Sequence, residues 1–121
     1  MENFSHAATI LPARDMSKSI DFYTKKLGFN LEFSWEDPVS YAVLRRGEVN
    51  IHLSLMDKNA DSKTFRSLIY IFVHDIESIY EECLKKGVVV ETPLASRDYK
   101  MKDFDISDPD GHQITFGCGD S

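Results

Sequence analysis

The chain lacks several features that would place it in a specialised class of protein. Its 121 residues include two cysteines, one tryptophan, four prolines and six glycines. No apolar run approaches the roughly 20 residues that are needed to cross a membrane. Cys83 and Cys118 form no CxxC motif, so the sequence predicts neither a disulfide framework nor a zinc knuckle. The first five residues lack the basic and apolar segments of a signal peptide, and we expect a cytoplasmic protein with free thiols.

Positive charge is also scarce. Lysine and arginine total 14 against 20 aspartates and glutamates, which gives a net charge of −6. Binding to nucleic acid requires a basic surface, so the composition argues against a nucleic-acid partner. The same charge is compatible with a cationic ligand.

Two stretches of the chain, residues 10–28 and 70–87, share one pattern. Each begins with a β-rich run that reaches an aspartate, Asp15 or Asp75. An amphipathic helix follows in each copy. It ends in Lys25-Lys26-Leu27-Gly28 in the first copy and in Lys85-Lys86-Gly87 in the second. One structural unit is therefore used twice, and we expect a pocket between the two copies.

Each copy reads as strand, helix, strand, strand, strand. The predicted strands are 5–11, 30–36, 40–46 and 49–56, then 67–73, 88–92, 100–107 and 112–117. In the predicted strand 30–36, we expect Leu31, Phe33 and Trp35 on one face. Residues 93–98 are predicted to be a loop, residues 58–65 a polar linker, and Cys118 to follow the last strand.

The order and spacing of four motifs are similar to those of a known family. The motifs are Leu11-Pro12-Ala13-Arg14-Asp15, Ser19-Ile20-Asp21-Phe22-Tyr23 with Lys26-Leu27-Gly28-Phe29, Arg46-Gly47-Glu48, and Asp108-Pro109-Asp110-Gly111. The chain resembles the glyoxalase / bleomycin resistance protein / extradiol dioxygenase superfamily, also called vicinal oxygen chelate proteins, over essentially its whole length. The resemblance implies an α+β fold with two tandem βαβββ modules, about 5–57 and 66–118, in a single domain over 1–121. It also implies half-open curved sheets whose cups are completed in a homodimer.

Metal-dependent members of this superfamily place ligands on the first and last strands of each module. Counting from the motifs puts those positions at Ala8, His52, Leu68 and Thr115. Alanine and leucine have no donor atom, a threonine hydroxyl is a poor ligand, and one histidine cannot hold a catalytic ion alone. We therefore predict no metal and no other cofactor. Whether His6 joins His52 in an atypical site stays open, although a shift of two residues moves a donor by roughly 6.7 Å.

The resemblance is nearest to the bleomycin resistance branch, which implies an acidic homodimer that sequesters a cationic glycopeptide antibiotic with an aromatic tail. Aromatic rings suit stacking on such a ligand, and a polar line inside a cup needs hydrogen bonds or a ligand. We predict no catalytic residue. The predicted ligand-binding residues are Phe33, Trp35, Tyr41, Asn50, His52, Ser54, Phe104, Gln113 and Thr115. His112, which follows a turn glycine, is expected to be solvated.

Three functions remain open at this point. The first is a metal-independent small-molecule binder that sequesters its ligand in a groove at the dimer interface. The second is a metal-dependent glyoxalase-like or dioxygenase-like lyase or isomerase with atypical ligands that include His52. The third is a regulatory or scaffold module whose cup is filled by its own side chains. Fold alone does not choose among them.

Overall fold

The computed structural model describes residues 2–57 and 66–120. Contacts divide the chain into two compact units, Met1–Ala60 and Asp61–Ser121. The linker predicted over about 58–65 lies outside the described residues. Among the helices of the described ranges, none is long and apolar enough to cross a membrane.

The first unit has four strands in one sheet and one helical segment. Its elements are β1 (Thr9–Ala13), α1 (Met16–Asp21) with a π-helical continuation (Phe22–Lys26), β2 (Asn30–Trp35), β3 (Tyr41–Arg46) and β4 (Val49–Leu55). The strand order is β1-β4-β3-β2, with β1 parallel to β4 and the other pairs antiparallel. The Asp15 side chain accepts a hydrogen bond from the backbone N–H of Lys18 at 3.1 Å, which confirms the predicted helix start.

One face of this first sheet is covered by the helical segment, and the other is open within the unit. On β4, Ile51 and Leu53 are fully buried, while the alternating Asn50, His52 and Ser54 are half-buried. Successive side chains of a strand point to opposite faces, so the three polar residues share the uncovered face, as predicted. We call this surface the first open face.

The strand β2 differs from its prediction in one respect. Leu31 pairs with Leu44, whereas Phe33 pairs with Val43, because a register irregularity lies between Leu31 and Phe33. Directly paired residues of antiparallel strands point to the same side, so Leu31 is on the side of the buried Leu44. The prediction that Leu31 shares a face with Phe33 and Trp35 is therefore wrong.

The second unit repeats the layout of the first. Its elements are β5 (Leu68–Phe72), α2 (Ile76–Lys85), β6 (Val90–Ser96), β7 (Met101–Ser107) and β8 (Gln113–Gly119). The strand order is β5-β8-β7-β6, with β5 parallel to β8. The Asp75 side chain caps α2 by accepting a hydrogen bond from Ser78 N–H at 3.2 Å. The predicted α+β fold with two βαβββ modules is confirmed.

Three local predictions in the second unit are wrong. The strand β6 runs through Pro93 to Ser96, where a loop was expected. Because β6 is the edge of its sheet, the missing N–H of Pro93 removes no hydrogen bond from a sheet interior. Cys118 lies within β8 and not after it. Phe104 is fully buried and packs against Tyr80 and Phe116, so it is a core residue with no surface for a ligand.

Candidate functional site

The first open face carries two stacked aromatic side chains. Phe33 and Trp35 are 51% and 58% exposed. Their ring centroids are 6.3 Å apart and the ring planes differ by 30°. Trp35 lies directly opposite Tyr41 in the pairing of β2 with β3, so the aromatic surface continues onto the next strand. Exposed flat rings in this arrangement suit stacking on a planar ligand.

A hydrogen-bonded pair, Tyr41 and His52, lies beside those rings. Tyr41 Oη and His52 Nδ1 are 2.7 Å apart, and the two rings meet edge to face with centroids 5.4 Å apart. The hydrogen bond to Tyr41 fixes the orientation of the imidazole ring and occupies Nδ1. Within residues 2–57 and 66–120, Nε2 of His52 has no partner. The pair therefore presents a hydrogen-bonding atom on the open face.

The other two polar residues of β4 have different surroundings. The Asn50 side-chain nitrogen donates to the carbonyl oxygens of Ala7 and Glu48, both at 3.2 Å. Its donor capacity is thus used inside the unit, which gives Asn50 a structural role in holding the segment before β1. Ser54 lies opposite Tyr41 in the strand register. Ligand contact by either residue stays a prediction.

The four positions that the resemblance implies for metal ligands supply one imidazole and one hydroxyl and no other donor atom. Ile10 lies opposite His52 on β1, and Tyr70 lies opposite Thr115 on β5. Ala8 precedes β1, and Leu68 is 70% exposed. Since alanine, isoleucine and leucine supply no donor atom, His52 has no second ligand from the adjacent strand.

His6 does not join this set in the described structure. The first strand begins at Thr9, so the alternation that would align His6 with Ala8 does not apply. The imidazole Nδ1 is 2.7 Å from Oγ of the adjacent Ser5, and both residues are exposed. The expectation of a strand over residues 5–8 is wrong.

The second unit also has an uncovered sheet face, the second open face, which contains a buried carboxylate. Asp103 is 3% exposed. Its Oδ2 accepts hydrogen bonds from Tyr70 Oη at 3.0 Å and Tyr99 Oη at 2.7 Å, and Arg97 Nε donates to Oδ1 at 2.8 Å. We call these four residues the Asp103 network. Three donors and one positive charge satisfy a carboxylate that would otherwise be costly to bury.

The Asp103 network shifts the pKa values of its members in opposite directions. Burial alone would raise the pKa of Asp103, but the hydrogen bonds from Tyr99, Arg97 and Tyr70 outweigh it and lower the pKa. Burial and the hydrogen bond to Asp103 raise the pKa of Tyr70 from 10.0 to about 12. Tyr70 therefore stays a neutral hydrogen-bond donor at physiological pH.

Gly117 allows Tyr70 to reach this carboxylate. A Cβ atom on Gly117 would lie 2.0 Å from Tyr70 Oη and 2.6 Å from Cζ. Tyr70 is on β5 and Asp103 is on β7, with β8 between them. The phenol ring must cross β8, and it can do so only because residue 117 has no side chain.

Thr115 and Gln113, both predicted ligand contacts, lie in a second group of hydrogen bonds. Thr115 Oγ1 donates to Asp105 Oδ1 at 2.6 Å, and Gln113 Nε2 is 3.4 Å from Thr115 Oγ1. Gln113 Oε1 accepts a hydrogen bond from Arg66 at 3.0 Å. The Thr115 hydroxyl is therefore already bonded to a neighbouring carboxylate.

Asp103 and Asp105 were not among the residues predicted from the sequence. The alternation of Asp103, Phe104, Asp105 and Ile106 was the available signal, because it separates two polar residues from two apolar ones. It could have placed both aspartates on the open face and Phe104 on the covered one. It could not have identified Tyr70 as a partner, since Tyr70 lies 33 positions away.

The prediction that His112 is solvated is wrong. His112 is 2% exposed, and its Nδ1 accepts a hydrogen bond from Ser67 N–H at 2.9 Å. Asp108 Oδ1 accepts from the backbone N–H groups of Asp110 and His112, both at 2.9 Å. Side-chain donor atoms of Asp108, Asp110 and His112 come within 4.8 Å of one another. Because Asp108 Oδ1 and His112 Nδ1 already accept hydrogen bonds from backbone N–H groups, the arrangement is that of a fixed turn.

A surface cavity of about 500 Å³ lies elsewhere in the first unit. Its walls include Met16 and Ile20 of α1 together with Pro38, Val39 and Leu55. None of the predicted ligand-binding residues lines it. This cavity is therefore separate from the residues that the sequence predicts to contact a ligand.

Comparisons with known proteins agree with the resemblance read from the sequence. The sequence model of the Glyoxalase/Bleomycin resistance protein/Dioxygenase superfamily matches residues 3–116. Bleomycin resistance proteins of Geobacillus stearothermophilus and Staphylococcus aureus are each 33% identical over 122 aligned positions, which cover 88% of this chain and 90% of theirs.

Two solved structures share the fold. The bleomycin-binding protein of bleomycin-producing Streptomyces verticillus, complexed with copper(II)-bleomycin, has a TM-score of 0.80 at 24% identity and covers 99% of this chain and 100% of that one. TioX from Micromonospora sp. ML1 has a TM-score of 0.83 at 18% identity and covers 96% and 99%. The family match spans nearly the whole chain, and the curated relatives align along most of their length. The chain therefore belongs to the Glyoxalase/Bleomycin resistance protein/Dioxygenase superfamily, and within it is similar to the bleomycin resistance proteins.

Proposed function

We propose that this protein binds a small organic molecule without a metal ion and sequesters it. The observation that carries the proposal is the first open face, where the stacked Phe33 and Trp35 adjoin the Tyr41–His52 pair. The proposed ligand class is that of bleomycin, a cationic glycopeptide with an aromatic tail, because curated relatives at 33% identity are named bleomycin resistance proteins.

A bound ligand would cover apolar surface of Phe33 and Trp35 that is exposed to water. Two aromatic rings that are more than half exposed leave a large apolar area in water. Aromatic contacts contribute roughly 0.5–1.5 kcal/mol each beyond the area that they bury. His52 Nε2 adds a hydrogen-bonding atom for a polar group of the ligand. Stacking would supply affinity, and the hydrogen bond would fix orientation.

Metal independence is supported by the residues around His52. Ile10 and Val43, its neighbours on both adjacent strands, are apolar. A metal-dependent lyase, isomerase or dioxygenase would need two or three further nitrogen or oxygen donors converging on the same point. No specific observation favours that alternative, and we propose no catalytic residue and no cofactor.

We also propose that the protein is a cytoplasmic homodimer in which two chains complete the binding groove. Support comes from the family resemblance and from apolar residues that each unit leaves exposed, among them Ile10 at 58% and Phe72 at 73%. The proposed layout keeps one domain over 1–121 with modules at about 5–57 and 66–118. Analytical ultracentrifugation measures the mass in solution, and a monomer at micromolar concentration would contradict this part.

A fluorescence titration tests the ligand proposal directly. Trp35 is the only tryptophan in the chain, so its emission reports on the first open face alone. Metal-free bleomycin added in the presence of EDTA is expected to change that emission in a saturable manner. Phe33→Ala should weaken binding roughly tenfold, since one stacking contact is lost.

The matched control is Leu84→Ala on α2, which removes a 52% exposed apolar side chain outside both open faces. Its affinity should equal that of the unmodified protein. An absence of saturable change, or a change only after a divalent ion is added, would overturn the proposed function.

A further inference from the structure

We propose that the surface cavity of the first unit is a binding site for a small, uncharged and largely apolar molecule. The cavity lies at the end of the layer between α1 and the sheet, next to the turn that joins β2 to β3, and we call it the α1 cavity. It is on the covered side of the sheet, whereas Phe33 and Trp35 are on the open side. The site therefore goes beyond the proposed function and does not depend on it.

The row of apolar residues on the covered face of β4 is buried except at its end. Ile51 and Leu53 are fully buried, whereas Leu55, the next residue on the same face, is 45% exposed. Leu55 forms one wall of the α1 cavity, and Ile20 of α1 forms another. The helix thus covers two members of the row and leaves the third in contact with water, where a bound apolar molecule would remove that contact.

The equivalent place in the second unit is bridged by an ion pair. The Glu77 carboxylate, on the first turn of α2, binds the Lys102 ammonium at the start of β7. Both side chains are long, and together they join the helix to the sheet at the end of the layer. The second copy of the repeat thus closes with its own side chains the gap that the first copy leaves open.

Two serines occupy the equivalent positions in the first unit. Ser17 follows its capping aspartate by two residues, as the glutamate of the ion pair does. The Ser40 carbonyl accepts a hydrogen bond from Leu55 N–H at 2.9 Å, so Ser40 occupies the place in β3 that Lys102 has in β7. A serine is too short to bridge helix and sheet, and a space of about 500 Å³ remains. This volume is within the range of small-molecule pockets.

The charged residues at the rim disfavour an ionised ligand. Two carboxylates, Asp15 and Asp21, and one guanidinium, Arg14, line the cavity. Asp15 Oδ1 already accepts a hydrogen bond from Lys18 N–H at 3.1 Å, and Asp21 pairs with Lys25 at 3.5 Å. An anion would meet an excess of negative charge, and a cation would compete with Lys25 for Asp21. The other walls include the apolar side chains of Met16, Ile20, Pro38, Val39 and Leu55.

Three compounds with the same ring test both the site and the ligand class. Cyclohexanol is uncharged, cyclohexanecarboxylate is an anion and cyclohexylammonium is a cation, and their puckered ring does not stack on flat aromatic side chains. Each is titrated into the full-length protein with ¹³C-labelled methyl groups. Met16, Ile20, Val39 and Leu55 report on the α1 cavity. Val89, 67% exposed in the second unit, reports non-specific contact.

We expect cyclohexanol to shift the cavity methyl groups in a saturable manner, with an affinity at least roughly tenfold above that of either charged compound. The double variant Ser17→Glu/Ser40→Lys introduces the ion pair of the second unit, and it should weaken binding at least roughly tenfold because its side chains fill the space. Leu55→Ala should weaken binding several-fold, since an apolar wall is lost. The matched control, Glu77→Ser/Lys102→Ser, opens the ion pair of the second unit and should leave the shifts in the first unit unchanged.

Four results would overturn the proposal. They are the absence of saturable shifts, equal affinity for the three compounds, binding that survives in Ser17→Glu/Ser40→Lys, and cavity methyl shifts that follow protein concentration alone, which would mean that a second copy of the chain covers the cavity. If the double variant fails to fold, Leu55→Ala together with the three compounds decides the matter. A failed bleomycin titration with successful cyclohexanol binding would reject the proposed function and leave this site standing.

Discussion

The two open faces have the same strand layout but different chemistry. The first carries one hydrogen-bonded pair, Tyr41 and His52, among exposed aromatic rings. The second carries a charged network in which Asp103 is bound by three side chains. The covered faces are alike, because each consists of buried aliphatic and aromatic residues under a helix. The helix side of the repeat thus keeps a packing function, while the uncovered side has taken different polar residues in each copy.

This difference predicts where stability is sensitive to polar substitutions. A half-buried pair on the first open face contributes one hydrogen bond, whereas the second unit depends on a buried charge with all its partners in place. Substitutions in the Asp103 network should therefore lower the free energy of unfolding more than equivalent substitutions in the Tyr41–His52 pair.

The largest effect is expected for Asp103→Asn. The substitution leaves Arg97 without its counter-charge and removes an anionic acceptor from two phenols, and it should lower the free energy of unfolding by about 3 kcal/mol. Urea denaturation measures this. Asp105→Asn on the same strand is the control, since Asp105 accepts one hydrogen bond and has no ion pair among the described residues. Equal losses in both variants would contradict the larger contribution that we assign to the Asp103 network.

The next largest effect is expected for Gly117→Ala. The new Cβ would lie 2.0 Å from Tyr70 Oη, so Tyr70 must leave Asp103. Loss of the hydrogen bond and local displacement should lower the free energy of unfolding by about 2 kcal/mol. Gly119→Ala lies on the same strand with nothing within 4 Å of its Cβ, and it should have little effect. A Gly117→Ala variant as stable as Gly119→Ala would contradict the described path of Tyr70.

Alkaline pH should weaken the second unit through Tyr70. Burial and the hydrogen bond to Asp103 raise the pKa of Tyr70 from 10.0 in a free chain to about 12. The folded state holds this proton more tightly than the unfolded chain, so the stabilisation is complete below pH 10 and is lost as the pH rises toward 12. Urea denaturation between about pH 8 and about pH 11 should show a fall in stability that is smaller in Tyr70→Phe. The control variant Tyr41→Phe should lose as much stability at alkaline pH as the unmodified protein. If the pH profile of Tyr70→Phe is identical to that of the unmodified protein, the raised pKa of Tyr70 is not the cause of the alkaline loss of stability.

The smallest effect is expected for Tyr41→Phe on the first open face. One partly exposed hydrogen bond to His52 is lost, so the free energy of unfolding should fall by about 1 kcal/mol or less. The imidazole also loses the partner that fixes its orientation, and bleomycin affinity should fall several-fold. A stability loss as large as that of Asp103→Asn would show that the two faces are equally sensitive.

The parts of the fold that follow from local patterns were predictable. The caps at Asp15 and Asp75 and the alternation of Ile51 and Leu53 with Asn50 and His52 depend on residues close in sequence. The irregularity near Leu31 was not predictable, because the pairing of two strands sets it.

The candidate site was less predictable than the fold. Trp35 and His52 were predicted because an aromatic residue beside an acidic turn and a polar residue in an apolar strand are visible in the sequence, and the structure places both on the first open face. Their contact with a ligand stays a prediction. The Asp103 network was missed since Tyr70 must cross a strand at Gly117 to reach Asp103, which no local pattern indicates. His112 was misplaced because its burial depends on Ser67, 45 positions away.

Native mass spectrometry of the protein purified in EDTA, with and without metal-free bleomycin, distinguishes metal-independent binding from a metal-dependent site. The ligand-bound species should carry the mass of protein and bleomycin and no metal ion. A stoichiometric divalent ion retained by the protein, or bleomycin binding that appears only when such an ion is returned, would contradict metal-independent binding.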